Sequence, residues 1–269
     1  MTASLKSSND LPQSSVAKAL ELLVALGELG VSDDVTIREL VDKTGTSRPT
    51  VHRLLAELKK SGFVESVEST GRYRLGTRIL ILSAQSLGGR DIRRMAQPML
   101  RGLVEESGFT AHLSIRDELS IVYIDKVEAM RGVRIATGIG ERRSVATTAM
   151  GKIFLAYGST ELTEAVIDEG IVQCGPKSLT SPEKLKDNLR LVLKNGYAVD
   201  DEESNAGVRC VAAPIRDHSG EVVAAMSVSA LTSQISLKAT RSIGAQVRYT
   251  ADQISRQLGY HGQCPSFAG

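Results

Sequence analysis

What this chain can fold into is constrained most by the stretch Thr36–Leu75. There a capped helix, a glycine turn, a second capped helix and a short basic hairpin follow one another without spare residues. Thr36-Ile37-Arg38-Glu39 is a capping box, in which the threonine hydroxyl and the glutamate carboxylate can each satisfy an orphaned backbone N–H. Ile37, Leu40 and Val41 give this helix its core side. Gly45 supplies the left-handed residue that ends it, and Ser47 caps the next helix. Pro49 is tolerated in the first turn because its missing N–H has no intrahelical partner to lose. The connection is only a few residues long, as a helix-turn-helix requires. In the second helix Val51, Leu54, Leu55 and Leu58 recur at i, i+3, i+4 and i+7, which turns Pro49, Arg53 and Ala56 to the opposite face. Thr50 and Glu57 flank that face on one side and His52 on the other. Lys59 and Lys60 complement the negative end of the helix, and Gly62 stops it.

A hairpin follows, because Phe63–Val67 and Arg72–Leu75 bracket the turn-forming run Ser69-Thr70-Gly71. Period two puts Tyr73 and Leu75 on one side and Arg72 and Arg74 on the other. Between Ser47 and Arg78 seven cations face three anions, a local excess of +4, while the whole chain is only +2. A local positive field on a neutral remainder is the footprint of a small nucleic-acid module attached to something else. The plan is therefore a winged helix-turn-helix in which Ser47, Arg48, Pro49, Thr50, Arg53 and Ala56 enter or flank the major groove. Arg72 and Arg74 would hold phosphates or reach the minor groove. Read more blandly, these helices are a three-helix core and the cations its solvated face. His52 suits a phosphate contact or a half-buried position equally.

At 269 residues and 42% hydrophobic, the chain has room for one small and one larger domain. No apolar run reaches the ~18 residues of a membrane span, and Met1–Ser15 lacks the apolar centre of a signal peptide, so a cytoplasmic protein is expected. Cys174, Cys210 and Cys264 are far apart with no C-x-x-C pair, and His52, His112, His218 and His261 are equally scattered, so neither a metal site nor a disulfide framework is expected. Gly151-Lys152 lacks the upstream glycine and following hydroxyl of a phosphate loop, and no cofactor motif is present. A tight helix start is its simpler reading.

The expected organisation is a disordered leader over residues 1–13, the reader over 14–76, a linker helix over 77–90 and a second domain over 91–269. A helix from Ser15 to Gly27, with Val16, Leu20 and Leu23 on one stripe, completes the reader's core. Thr77–Leu87 is apolar on more than one side, which suits a linker that also meets a partner. Leu87-Gly88-Gly89-Arg90 marks the boundary, with Asp91 capping the next helix. The second domain reads as helix 92–107, strands 110–115 and 120–125, a strand at Val133–Ala136, and helices 149–157, 160–169 and 182–193. Strands 208–216 and 222–230 and a terminal helix from Gln234 to Leu258 complete it. Mixed in this way, the elements predict an α+β domain with helices packed on a sheet.

Several runs together resemble the IclR family of bacterial transcriptional regulators: Ser47-Arg48-Pro49-Thr50-Val51-His52-Arg53-Leu54-Leu55, Arg72–Gly76, Ala149-Met150-Gly151-Lys152, Asp200-Asp201-Glu202-Glu203 and Gly207–Ile215. The resemblance runs from Ser15 to Leu258 and is most specific at Gly207-Val208-Arg209-Cys210. It implies a GAF-like α/β effector-binding domain, homodimers that often pair into tetramers, and ligand-modulated control of catabolic genes, with repression the default. It also implies that Met150, Gly151, Asp200, Cys210, Ser227 and Ser229 line the effector pocket. The chemistry suits a small carboxylate or a hydroxylated aromatic: two serines two apart on a strand face the same way, and amides at a helix start favour an anion. Leu113, Ile135 and Val145 are candidates for apolar wall. The two serines on a solvated strand face are the plain alternative. Two rival functions are an enzyme using Cys210 or Asp200, with His218 as base, and an architectural protein that binds DNA without a ligand. The expected partners are an inverted-repeat operator in double-stranded DNA, the effector and a second copy of the chain.

Overall fold

The structure, a computed structural model, describes residues 14–30, 34–67, 69–86, 92–129 and 137–262. The expected leader, the Leu87–Asp91 boundary, the strand at Val133–Ala136, Ile135 and Cys264 lie outside them. Two compact units divide at Gly89/Arg90.

In the first unit α1 (Ser15–Leu29), α2 (Ile37–Thr44) and α3 (Arg48–Lys60) precede a hairpin of β1 (Val64–Val67) and β2 (Arg72–Leu75), and α4 (Thr77–Ser86) follows. The capping box forms in full: Thr36 Oγ1 accepts from the Glu39 amide at 3.3 Å while a Glu39 carboxylate oxygen accepts from the Thr36 amide at 2.7 Å. Gly45 ends α2 at φ 66°, a left-handed conformation that costs glycine nothing. Leu22, Leu26, Leu40, Val51, Leu55 and Val64 close the core at 1% exposure or less. The face that α1 buries is not the expected one. Leu22, Ala25 and Leu26 point inward, Leu23 packs at the edge, and Val16 and Leu20 are 69% and 58% exposed. The helix is apolar on two sides, so its sequence did not specify which side meets the core. Ser47 is the N-cap residue of α3, but its hydroxyl binds Thr50 Oγ1 at 2.9 Å instead of a backbone amide.

The second unit opens with α5 (Ile92–Ser107). A six-stranded antiparallel sheet follows, in the order β5 (Arg142–Ser144), β4 (Ser120–Val127), β3 (Thr110–Asp117), β8 (Val222–Leu231), β7 (Val208–Arg216), β6 (Ala198–Asp201). Helices α6 (Ala149–Tyr157), α7 (Thr160–Glu169) and α8 (Pro182–Asn195) lie between β5 and β6 in the chain, and α9 (Thr240–Gln257) ends the described fold. Alternation along the strands divides the sheet into two faces. Ala111, Leu113, Val211, Ala213, Met226 and Val228 pack against α5 and α9; Ile121, Ala198, Ala212 and Ala225 pack against α6 and α8. β5 and β6 were not foreseen, because Arg-Arg-Ser and Val-Asp-Asp are poor strand sequences that the sheet tolerates at its edges. α9 begins at Thr240 rather than Gln234. The Gln234 and Ser236 side chains accept from the Leu231 and Ala239 amides, which holds the chain in turns first.

Candidate effector pocket and nucleic-acid interface

On the first unit the outward face of α3 is open. Ser47, Arg48, Pro49, Arg53 and Ala56 are exposed, and Thr50 is half-buried. Arg48 and Arg53 form no ion pair among the described residues, whereas Lys60 pairs with Glu57 at 2.8 Å. The wing arginines are differently placed. Arg72 Nη1 donates to the Asp34 carbonyl at 2.6 Å, beside the bridge between Val35 and Tyr73, so it braces the wing against the chain entering α2. Arg74 is 59% exposed and pairs with Glu65 on the neighbouring strand at 3.1 Å. The sequence reading counted both as free positive charge.

On the second unit a narrow cavity opens between α6 and the sheet. The register explains which residues reach it. Thr110, Ser229, Cys210 and Asp200 stand opposite one another across β3, β8, β7 and β6, and His112 stands opposite Ser227 in the next row. Ser227 and Ser229 are 2% and 4% exposed, so burial rather than solvation surrounds them. Ser229 donates to Cys210 Sγ at 3.0 Å; Ser227 Oγ makes no hydrogen bond among the described residues.

Each expected pocket residue has a distinct situation. Met150 lines the cavity, and its Sδ accepts from Ser114 Oγ at 3.2 Å. Gly151 does not line it: its amide donates to Thr148 Oγ1 at 3.0 Å, closing the helix cap. A Cβ there would stand 2.3 Å from Val145 Cα and O. Its part is close approach of α6 to the chain before it. The first-turn amides of Ala149 and Met150 meet no acceptor among the described residues, and they are the helix-start donors a ligand can use. Asp200 lines the cavity, but its oxygens accept from the Glu203 and Ser204 amides at 2.7 and 3.3 Å and from the Ser204 hydroxyl. It therefore shapes the loop over the pocket, and burial raises its carboxyl above the usual range against the pull of that hydroxyl and of Lys152. Beneath lies a buried ion pair: Lys152 Nζ is 2.5 Å from Glu203 Oε1 and 2.5 Å from the Val199 carbonyl. Burial also pushes the Glu203 carboxyl up, opposed by Lys152.

Burial pushes the Cys210 thiol far up, and the Asp200 carboxylate adds to it. His218 pairs with Asp217 at 3.7 Å. It lies past the end of β7, roughly 20 Å of extended strand from Cys210, so the structure does not bring base and thiol together. Leu113 packs on the opposite face, and Val145 lies in the core beside α6, outside the cavity lining. Sequence reasoning missed His112, Tyr123, Thr137, Ser204 and Asn205, all on the cavity wall. The alternation that marked Ser227 and Ser229 also puts His112 and Thr110 on the pocket face of β3, a signal that was there to be used. Tyr123 needed the strand pairing, because a bulge at Leu113/Ser114 resets the register beside it.

No helix among the described residues is long and apolar enough to cross a membrane. The family model for the bacterial transcriptional regulator IclR C-terminal domain matches residues 84–256, and that for the IclR helix-turn-helix domain matches residues 15–68. The HTH-type transcriptional regulator XynR of Escherichia coli (strain K12) is 34% identical over 247 residues, 91% of this chain and 97% of that protein. KdgR of the same organism is 34% identical over 250 residues, 92% of this chain and 94% of its own. The crystal structure of IclR from Thermotoga maritima superposes with a TM-score of 0.72 at 30% identity, covering 91% of this chain and 99% of that one. With a helix-turn-helix reader and a cavity-bearing sheet domain matched end to end, the chain belongs to the IclR family of bacterial transcriptional regulators.

Proposed function

We propose that this chain is a repressor of a catabolic operon that reads an inverted repeat as a homodimer and changes its operator affinity when a small carboxylate binds under α6. The observation that carries the effector half is the buried polar row of the sheet. Ser227 and Ser229 line one cavity together with Ala149 and Met150, whose amides have no acceptor among the described residues. The reading half rests on the open face of α3, where Arg48 and Arg53 suit phosphates or guanine edges and Ala56 suits a thymine methyl. Arg74 reaches a phosphate only by leaving Glu65, and Arg72 acts by fixing the wing. The second copy is supported by two exposed apolar rows in the first unit, Val16, Leu20 and Val24 on α1 and Leu80, Ile81 and Leu82 on α4. Sensing rather than turnover is supported by a Cys210 thiol held protonated and an Asp200 engaged by its own loop. A cytoplasmic location follows from the DNA target.

Selection of a random duplex pool on the full-length protein tests this. An enriched inverted repeat with half-sites about one helical turn apart, or a multiple of it, is expected. Retention without enrichment would favour an architectural protein, and no retention at low salt would remove the DNA-binding reading.

A further inference from the structure

The cavity holds one polar side chain whose chemistry differs from the rest. His112 is 1% exposed and forms part of the wall. Its Nε2 lies 2.8 Å from Thr137 Oγ1, and its Nδ1 has no hydrogen-bond partner. The ring stands 5.2 Å from that of Tyr123, tilted by 58°, so aromatic packing fixes its plane. The register puts it one strand over from Ser227. Burial, with the Lys126 charge added, depresses its pKa to about 3, so the imidazole is neutral at any physiological pH. Lys126 Nζ is 3.2 Å from the Thr137 carbonyl and pairs with Glu128, which ties the same charge to the residue that orients the ring.

The pocket is thereby divided. Amides of α6 can take an anion, whereas a neutral ring in a buried wall offers no countercharge. It can make a hydrogen bond to an uncharged group, and its tautomer decides whether it donates or accepts. We infer that His112, held by Thr137, is a specificity-determining residue, and that the effector is a carboxylate that also carries a hydroxyl, with the hydroxyl placed on His112. This inference rests on the effector reading of the cavity given above. It goes further by assigning the two ends of the ligand to two parts of the wall. A site built around a buried hydrogen-bonding group discriminates strongly against the ligand that lacks the matching group, because the protein group is then left unpaired.

Calorimetric titration of the full-length protein with matched acids tests it: propionate against lactate and 3-hydroxypropionate, and benzoate against 4-hydroxybenzoate. At least one hydroxylated acid should bind at least about tenfold more tightly than its parent, a conservative margin for a buried hydroxyl contact. In His112→Phe, and in the isosteric Thr137→Val should the first variant not fold, that ratio should fall to within about threefold. Parent and hydroxylated acids bound equally by the unaltered protein, or a preference that survives in the folded variants, would overturn the inference and leave the pocket standing. Failure of all these acids to bind would overturn the carboxylate reading of the pocket and the inference with it.

Discussion

Gly151→Ala sets two effects against each other whose sizes the structure supplies. Gly151 lies inside α6 with an ordinary helical backbone, where replacing glycine by alanine stabilises by about 0.5–1 kcal/mol. Here the new Cβ would stand 2.3 Å from the Cα and carbonyl oxygen of Val145, where ordinary contact begins at 3.4 Å, so two backbones must part by more than about 1 Å. Val145 cannot yield easily: it is fully buried, and its amide is bonded to the Leu119 carbonyl at 3.3 Å. Overpacking of this kind costs about 1–3 kcal/mol or more, which outweighs the propensity gain. The net loss, about 1–2 kcal/mol, corresponds to a Tm lower by roughly 2–8 °C for a unit of this size. Because Ala149 and Met150 ride on the same turn, effector affinity should fall as well.

The control is Gly102→Ala on α5, where an added Cβ meets nothing within 4 Å and only the propensity gain operates. Scanning calorimetry of the two full-length variants should show Gly102→Ala melting higher and Gly151→Ala lower than the parent. Should Gly151→Ala melt at or above the parent, α6 would not be packed as closely as the structure has it, and the reading of this glycine as a close-approach residue would be wrong.

Four further outcomes are expected. Arg53→Ala should lower specific operator affinity by about 1–3 kcal/mol and non-specific affinity much less; equal losses by fluorescence anisotropy would make it a phosphate contact. Joint Ser227→Ala and Ser229→Ala should abolish the effector's influence on operator binding yet leave binding itself intact, and a retained response would remove both residues from the site. Lys152→Met should cost about 3–5 kcal/mol by stranding the Glu203 carboxylate, and adding Glu203→Leu should recover much of it; additive losses in denaturant melts would argue against the pair. His112 is neutral in the fold down to about pH 3 but takes a proton near 6.5 when unfolded. Its contribution is therefore complete above pH 6.5 and is lost at up to about 1.4 kcal/mol per unit as pH falls from there. His112→Phe should flatten the fall in Tm between pH 7 and 5 relative to the parent, and an unchanged slope would place the protonation elsewhere.

How much was legible depended on whether the signal was local. Caps are local, so Thr36, Gly45, Ser181 and Gly196 marked helix ends that the structure reproduces. The helices at 92–107, 149–157 and 160–169 and the strand at 208–216 fall on the residues expected. Alternation put Ser227 and Ser229 on one face correctly, and the family resemblance joined them to Asp200 and Cys210 in one cavity. What depended on a partner was not legible. Val16 and Leu20 looked like core because nothing in the sequence distinguishes an apolar side that meets the same chain from one left exposed on it. Arg72 and Arg74 looked free because their partners are set by pairing along the chain: the Asp34 carbonyl by the Val35–Tyr73 bridge and Glu65 by the hairpin register. Gly151 looked like a ligand contact because close backbone approach leaves no trace in sequence beyond the glycine itself.

The two faces of the sheet make the case that the cavity is a site rather than a packing defect. Toward α5 and α9 the central strands present Ala111, Leu113, Val211, Ala213, Ile215, Met226 and Val228, so these strands can supply an apolar surface, with charge at the Asp201–Arg209 and Arg93–Asp125 pairs. Toward α6 the same strands present His112, Asp200, Ser227 and Ser229, and α6 contributes a fully buried lysine. Buried polar and charged groups add little to stability and often subtract from it, so stability does not explain that asymmetry. Their connections do. Lys152 joins α6 to Val199 and Glu203, and Asp200 joins β6 to Glu203 and Ser204, so helix, edge strand and loop are held as one hydrogen-bonded set around the opening. A ligand that takes the Ala149 and Met150 amides at one end and His112 at the other loads that set from both sides. Differential binding to two arrangements of such a set is the physical requirement for an effector to change affinity at a DNA surface on the other unit.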